Sequence, residues 1–485
     1  MSRFLLWNAL FVNNSKTKDM AATQHEPTGV SLETLASGFL ERRGVLGVPV
    51  KATMSSRPML SVAHLSPAHG GVANAAKQLH AGLLDMGVSS RFFVSSPSHR
   101  NEGLDHIYSL PAANPLFDYA DRLTRLIDKY VGLGGMMHLT SLLRSFPSFD
   151  ILHLHGMDGS WFNLYALKRL NHHHALVWTM HDKHLGTGAC GYPEMWNGCE
   201  RWKIGCGSCP KVKAEGWWLD GTRFVYRRKK SILASTRLAV VAPNRWMYDF
   251  IASAPITRSQ TLRLISYGVD TETFSPMPAK SCRQELQLPA DGKLLLAVAS
   301  NFAFPRKGLH YYEPLLRGLK MKCEGQLGLV LVGAQLQDDV LTRLRRIVPV
   351  YVIGKIGDPQ TLAKAYNACD IFVITSIIDN SPSVVLESLA CGTPVAGFSV
   401  GGVVDMIESG RSGVLSELGA TDHLAEQIGM LLQEPNRLSE MRSHCRERAV
   451  RHYGRRVQAS KYLELYHEIH AANPTTAMSS RRPAL

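Results

Sequence analysis

Short apolar runs alternate with longer amphipathic stretches along the chain, and the alternation occurs twice. The first run, Met59-Leu-Ser-Val-Ala-His-Leu65, leads into Ser66-Pro-Ala-His-Gly70-Gly71 and then into a stretch ending at Leu84 with apolar residues at helical spacing. That order predicts a strand, a glycine turn and a helix. Further strands are predicted at Ser90–Val94, Ile151–Leu154, Ala175–Met180 and Leu238–Val241. The pattern then restarts, with strands predicted at Lys293–Ala299, Leu327–Val332, Val350–Ile353, Ile371–Ile374 and Pro394–Phe398. Helices are predicted at Thr361–Ala368, Ser381–Ala390 and Thr421–Leu432. Strand–helix alternation predicts an α/β fold with two parallel-sheet, Rossmann-like domains. A polar stretch, Tyr267–Pro276, separates the two series, so the expected domains are 58–268 and 269–453. Residues 1–57 lack sustained periodicity and are expected to be a disordered extension, or an upstream mis-start with Met54 or Met59 as the start. The Pro/Ser/Thr-rich residues 473–485 are expected to be a disordered tail.

Composition narrows this picture. With 485 residues and 45% apolar content, the chain is long enough for two full cores. Lys and Arg outnumber Asp and Glu by 54 to 40, giving a net charge of +14. Such a surplus favours an anionic partner: nucleic acid, an acidic membrane face or a phosphorylated small molecule. The sequence has no uncharged apolar run long enough for a membrane helix. The run Phe4–Val12 follows Arg3 but is interrupted by Asn8, and is not read as a secretory signal. Nine cysteines make an odd count without a secreted framework, which points to the reducing cytosol.

The chemistry concentrates after the strand Ile371–Ile374. Asp379 lies in the following loop, and Glu387 lies on the next helix, about two turns further on. Asn380 and Ser381 are candidate helix caps, and Pro382 suits the first helical position. The free backbone N–H groups at such a helix start, near Ser381-Pro382-Ser383, suit a diphosphate. Two carboxylates so placed can grip hydroxyls at separate points of one ligand. After the strand Leu294–Ala299 comes Arg306-Lys307-Gly308, whose cations can neutralise a diphosphate and stabilise a leaving group without a metal.

The segment Asp379–Glu387 resembles the acidic-x7-acidic signature of family 4 glycosyltransferases, with Asp379 where Glu is usual. The resemblance implies the GT-B fold, two Rossmann-like domains facing across a cleft, with a C-terminal helix (454–472) packing back on the first domain. It implies that Asp379 works near the donor sugar and that Glu387 holds the ribose hydroxyls. Asn380, Ser381, Pro382, Ser383 and Leu386 then complete the donor-binding segment. The phosphate role carries over to Lys307 and Gly308, with Arg306 substituting for an Arg usual earlier in the family. Val400-Gly401-Gly402 through Gly413 resembles the family's glycine pair and Gly-rich turn, and Gly70-Gly71 its glycine loop facing the donor phosphate.

In the first series, Val177-Trp-Thr-Met-His181-Asp182 places a histidine at a strand end, where it can polarise or hydrogen-bond donor or acceptor. His153 and His155 compete from another strand end. Cys190, Cys199, Cys206 and Cys209 follow at spacings that allow a structural zinc, disulfides or free thiols. The Trp-Thr-x-His-Asp and cysteine run resembles a family 4 subgroup that makes bacterial surface polysaccharides, of the colanic-acid type. The basic run Arg223–Lys230 fits a charged helix face, nucleic acid or an anionic membrane carrying a lipid-linked acceptor.

The resemblance thus implies a retaining, metal-independent glycosyltransferase of hexosyltransferase type. It would be cytoplasmic or peripheral at the inner membrane face, and would move a sugar from a nucleotide diphosphate to a glycan or lipid-linked hydroxyl in exopolysaccharide biosynthesis. No catalytic cofactor is expected. A nucleotide-sugar epimerase on the same scaffold, and a basic zinc-bearing nucleic-acid-binding protein, are the alternative classes.

Overall fold

The computed structural model describes residues 60–94, 107–109, 148–157, 162, 164, 166–216, 219–322 and 326–472. The extension expected at 1–57 and the tail expected at 473–485 lie outside these residues. One sheet contains β1 (Ser61–Ser66), β2 (Ser89–Val94), β3 (Ile107–Ser109), β4 (Ile151–His155), β5 (Ala175–Thr179), β6 (Leu238–Ala242) and β7 (Thr261–Leu264). Its spatial order is β3-β2-β1-β4-β5-β6-β7. The other contains β8 (Lys293–Asn301), β9 (Leu327–Ala334), β10 (Val350–Gly354), β11 (Ile371–Ile374), β12 (Val395–Phe398) and β13 (Gly413–Ser416), ordered β10-β9-β8-β11-β12-β13. Every neighbouring pair is parallel. Parallel strands need crossovers that cover both faces, and β4, β5 and β6 are accordingly buried at every position.

The edge strands β3, β7 and β13 were not legible from the pattern. In β7, Thr-Leu-Arg-Leu, no residue is fully buried, so the alternation that marks a half-buried strand is missing. Strand order reverses between β1 and β4 in one sheet and between β8 and β11 in the other. Ligands of open α/β sheets bind outside the carboxyl ends at such switch points. Gly70-Gly71, His155, Lys307 and Asp379 all follow or end these four strands.

The last helix, Arg455–Ala471, lies against the helix Gly71–Leu84 of the first sheet. Tyr462 and Tyr466 join Leu79, Leu83, Val177 and Val241 in one core. A Cβ on Gly82 would stand 2.6 Å from the Arg455 carbonyl oxygen, so glycine there permits the contact. Arg455 also pairs with Asp85 and Asp270, at 2.7 Å each. Among the described residues no helix is long and apolar enough to cross a membrane.

Candidate functional site

Two loops that follow β8 and β11 are fastened together by their backbones. The Ile377 N–H donates to the Arg306 carbonyl at 2.8 Å, and the Thr375 hydroxyl donates to that of Lys307 at 3.2 Å. Gly308 makes this approach possible. Its φ is +66°, and a Cβ there would lie 1.9 Å from the Thr375 carbonyl oxygen. The result brings Lys307 onto Asp379, with Nζ donating to Oδ2 at 2.6 Å, and Arg306 onto the same oxygen at 3.2 Å. Burial alone would raise the Asp379 pKa. The charges of Lys307 and then Arg306 outweigh it and hold the carboxyl below the usual range. Lys307 is therefore paired with Asp379, while Arg306 keeps 31% of its side chain exposed and is the more accessible cation.

The next helix spans Ser383–Ala390. It begins two residues later than the sequence suggested. Pro382 is its N-cap, and no side chain caps it. Asn380 is instead turned toward the other sheet. Its Nδ2 donates to the Met180 carbonyl at 3.1 Å, and Asn244 Nδ2 donates to the Asn380 backbone oxygen at 2.7 Å and to Oδ1 at 2.8 Å. Asn244 simultaneously caps the helix Arg245–Ser253 by accepting from Met247 N–H. Gly401 and Gly402 back this loop, for a Cβ would stand 2.1 Å from the Asp379 carbonyl oxygen or 1.8 Å from that of Asn380. Ser381 is buried, Ser383 is half-buried, and Leu386 is turned into the hydrophobic core. Glu387 is half-buried and accepts from the hydroxyl of fully buried Tyr366 at 2.9 Å. Burial pushes its carboxyl up to about 7, against the downward pull of that hydrogen bond.

His181 follows β5, one residue beyond the Met180 carbonyl that Asn380 grips. Its Nε2 meets His155 Nδ1 at 3.1 Å, and its Nδ1 bonds the Tyr267 hydroxyl. Both ring nitrogens are thus engaged by protein partners. Burial lowers its pKa to about 3, so the ring is neutral. Gly70 and Gly71 are exposed at the start of the first helix, with nothing within 4 Å of a Cβ built on either.

Two family profiles match the chain over most of its length. Residues 69–273 match "Glycosyltransferase Family 4", and residues 280–452 match "Glycosyl transferases group 1". The chain belongs to the family 4 glycosyltransferases. It is 25% identical over 351 residues to the colanic acid biosynthesis glycosyl transferase WcaC of Escherichia coli K12, covering 68% of this chain and 80% of that one. It is 31% identical over 234 residues to a D-inositol 3-phosphate glycosyltransferase of Thermobispora bispora, covering 45% of this chain and 54% of that one. The match thus spans about half of that enzyme's length. In fold it is similar to the sucrose-phosphate synthase of Thermosynechococcus elongatus, with TM-score 0.62, 21% identity, and 85% and 100% of the two chains covered. It is also similar to Anabaena HepE in complex with UDP-glucose, with TM-score 0.59, 16% identity, and 84% and 100% covered. The two sheets are the Rossmann-like domains of the GT-B fold, and the family's class of reaction is glycosyl transfer.

In this family 4 chain the cysteine block extends to the same site. Cys190, Cys199, Cys206 and Cys209 are free thiols lining one cavity of about 20 Å³. Burial pushes the Cys190 thiol up to about 12 and that of Cys206 to about 11. The described group whose ligand atoms lie within 4.8 Å of one another is His64, His153 and His155, not these sulfurs. A zinc tetrahedron would bring four such sulfurs to about 3.8 Å from one another. Lys229, a member of the basic run, is buried, and its Nζ donates to the carbonyls of His184 and Thr187, anchoring the block. Tyr192 projects from the block, with Arg306 over its ring at 5.6 Å. The sequence pattern does not single out Asn244, Tyr366, Tyr267 or Tyr192. The capping preference of Asn244 before an amphipathic helix was the one local signal available; the aromatic residues gave none.

Proposed function

We propose that the protein is a retaining, metal-independent hexosyltransferase using a nucleotide diphosphate sugar and a glycan or lipid-linked hydroxyl acceptor in surface polysaccharide biosynthesis. The observation that carries this reading is Asp379 held by Lys307 and Arg306 beside an uncapped helix start, with Glu387 further along that helix. The diphosphate would sit at Pro382-Ser383 with Arg306, and Lys307 would share itself between Asp379 and phosphate. Glu387 would accept from ribose hydroxyls. Asp379 and His181 would flank the sugar, and the acceptor hydroxyl would attack from the face that the leaving group vacates. HepE's complex with UDP-glucose supports a nucleotide-sugar donor. On the helix Thr222–Ala234, Arg223, Phe224, Arg227 and Lys230 are exposed, which supports docking at the anionic inner face of a membrane.

The test is thermal unfolding against UDP-, GDP-, ADP- and TDP-sugars, followed by turnover in a metal chelator with the anomeric configuration of the product read by NMR. One selective rise in melting temperature, chelator-resistant turnover and a retained anomer are expected. An inverted anomer, or free sugar released without an acceptor need, would overturn the reading, the latter in favour of an epimerase.

The cysteine block is proposed to be a structural zinc site. Its four thiols face one cavity, and Cys206 and Ser208 hold positive φ values of 58° and 48° in the turn before Cys209. Non-glycine residues adopt this region where the surroundings over-determine the turn. An inward shift of the turns would close the shell.

A further inference from the structure

Behind His181 lies a row of histidines that the proposed reaction does not use. His155, at the end of β4, meets His181 through Nδ1 and His64 of β1 through Nε2, at 3.1 Å in each case. His64 and His155 have at most 1% of their surface exposed. Four groups therefore stand in series: the Tyr267 hydroxyl, His181, His155 and His64. Beyond the Nδ1 contact, His64 Nε2 is buried with no hydrogen-bond partner. His153 stands beside the row, but its nitrogens bond the hydroxyls of Tyr466 and Thr179, at 2.7 Å each.

The row constrains its own protons. Burial, with the neighbouring histidines adding to it, holds His64 and His155 well below the usual imidazole pKa, so both are neutral. A neutral imidazole carries one N–H and one lone pair. If His181 donates from Nδ1 to Tyr267, its Nε2 must accept from His155, whose Nε2 must then accept from His64. If the first bond is reversed, every bond reverses. One tautomer therefore determines the next along the whole row.

The row also joins the two sheets. His181 and His155 belong to the first sheet, whereas Tyr267 packs in the core of the second with Phe274, Leu294 and Phe372. The outer bond exists only when the sheets stand as they do here.

We infer that His155 and Tyr267 are positioning residues that hold His181 in one ring orientation and one tautomer, with His64 closing the row at its buried end. This rests on the reading of His181 as a neighbour of the donor sugar. A ring bonded at both nitrogens cannot flip without breaking both bonds. A ring kept neutral places no positive charge beside a sugar carbon that itself becomes positive as the diphosphate leaves.

The experiment uses the full chain labelled with ¹⁵N-histidine, the His181 signal being assigned by its loss in His181→Gln. In the unsubstituted protein one ring nitrogen of His181 should be protonated and the other not, unchanged between about pH 5.5 and 8. His155→Phe keeps a ring but removes the bond. It should average the two ¹⁵N shifts and lower kcat about 10-fold, while binding of the free nucleoside diphosphate stays within about two-fold. Tyr267→Phe removes only a hydroxyl, and serves if His155→Phe does not fold; it should act in the same direction. Unchanged shifts and unchanged kcat in both variants would overturn the inference. So would stoichiometric zinc, nickel or copper that disappears in His64→Ala, because these histidines would then be metal ligands. Should the protein prove not to transfer sugar, the nitrogen shifts still decide whether the row positions His181, so the two failures are distinguishable.

Discussion

Lys307 and Asp379 lie 72 residues apart and meet at 2.6 Å, with both side chains largely buried. The pair sits where β8 and β11 reverse the strand order of the second sheet, so a structural ion pair and the candidate sugar site are the same object. Lys307→Met leaves the buried Asp379 carboxylate with Arg306 as its cation and with the Asn380 N–H and Ser376 hydroxyl as neutral donors. It should lower stability by about 1.5–3 kcal/mol in urea unfolding at pH 7. The folded-state pKa of Asp379 is depressed, so its contribution is present above the unfolded value, near 4, and lost as pH falls through the folded value. The loss caused by Lys307→Met should therefore shrink below about pH 4.

Glu387 behaves in the opposite sense. Its folded-state pKa, about 7, lies above that of an unfolded glutamate. The folded state then binds more protons than the unfolded one between about pH 4.5 and 7, and stability should fall as pH rises through that window. Glu387→Gln should flatten this slope. Because ribose hydroxyls need an ionised acceptor, the donor KM should fall as pH rises from about 6 to 8, and this trend should vanish in Glu387→Gln.

Two glycine substitutions separate a packing role from a ligand role. A Cβ at Gly402 would collide with the Asn380 carbonyl and with Asn244 Nδ2, at 1.8 and 2.1 Å. Gly402→Ala should lower both melting temperature and activity. A Cβ at Gly71 meets nothing within 4 Å. Gly71→Ala should leave stability unchanged or raise it by about 0.4–1 kcal/mol, so a fall in kcat/KM would come from the ligand's approach to that turn.

Tyr192 supports the accessible cation of the site from the cysteine block. Tyr192→Ala removes the ring beneath Arg306 and should weaken diphosphate binding about two- to five-fold, as loss of an exposed cation–π contact implies. Tyr192→Phe keeps the ring and should bind as the unsubstituted protein does. Titration calorimetry with the free diphosphate reads both.

Zinc on the four thiols is checked by metal analysis of the purified chain. About one zinc per chain is expected, and Cys209→Ser should release it and lower the melting temperature. A metal-free, equally stable protein would leave the block held by contacts such as those of Lys229.

Central strands, the main helices, the turn glycines and the acidic spacing from Asp379 to Glu387 were determined by the sequence alone. Each is set within a few turns of chain, by apolar periodicity or by the conformational demands of glycine and proline. The helix start near Pro382 was legible only to within two residues, because Asn380, which looks like a cap, forms longer-range bonds instead. Edge strands such as β7 escaped because a strand paired on one side need not bury its residues. The partnerships within the site were decided only by the tertiary structure. Asn244 finds Asn380 across 136 residues, Tyr267 finds His181 across 86, and Tyr192 finds Arg306 from the other sheet's cysteine block. Local preference carries no information about such pairs. They follow from the order in which crossovers lay the strands side by side and from the contact between the two sheets' carboxyl ends, which bring distant loops to one place.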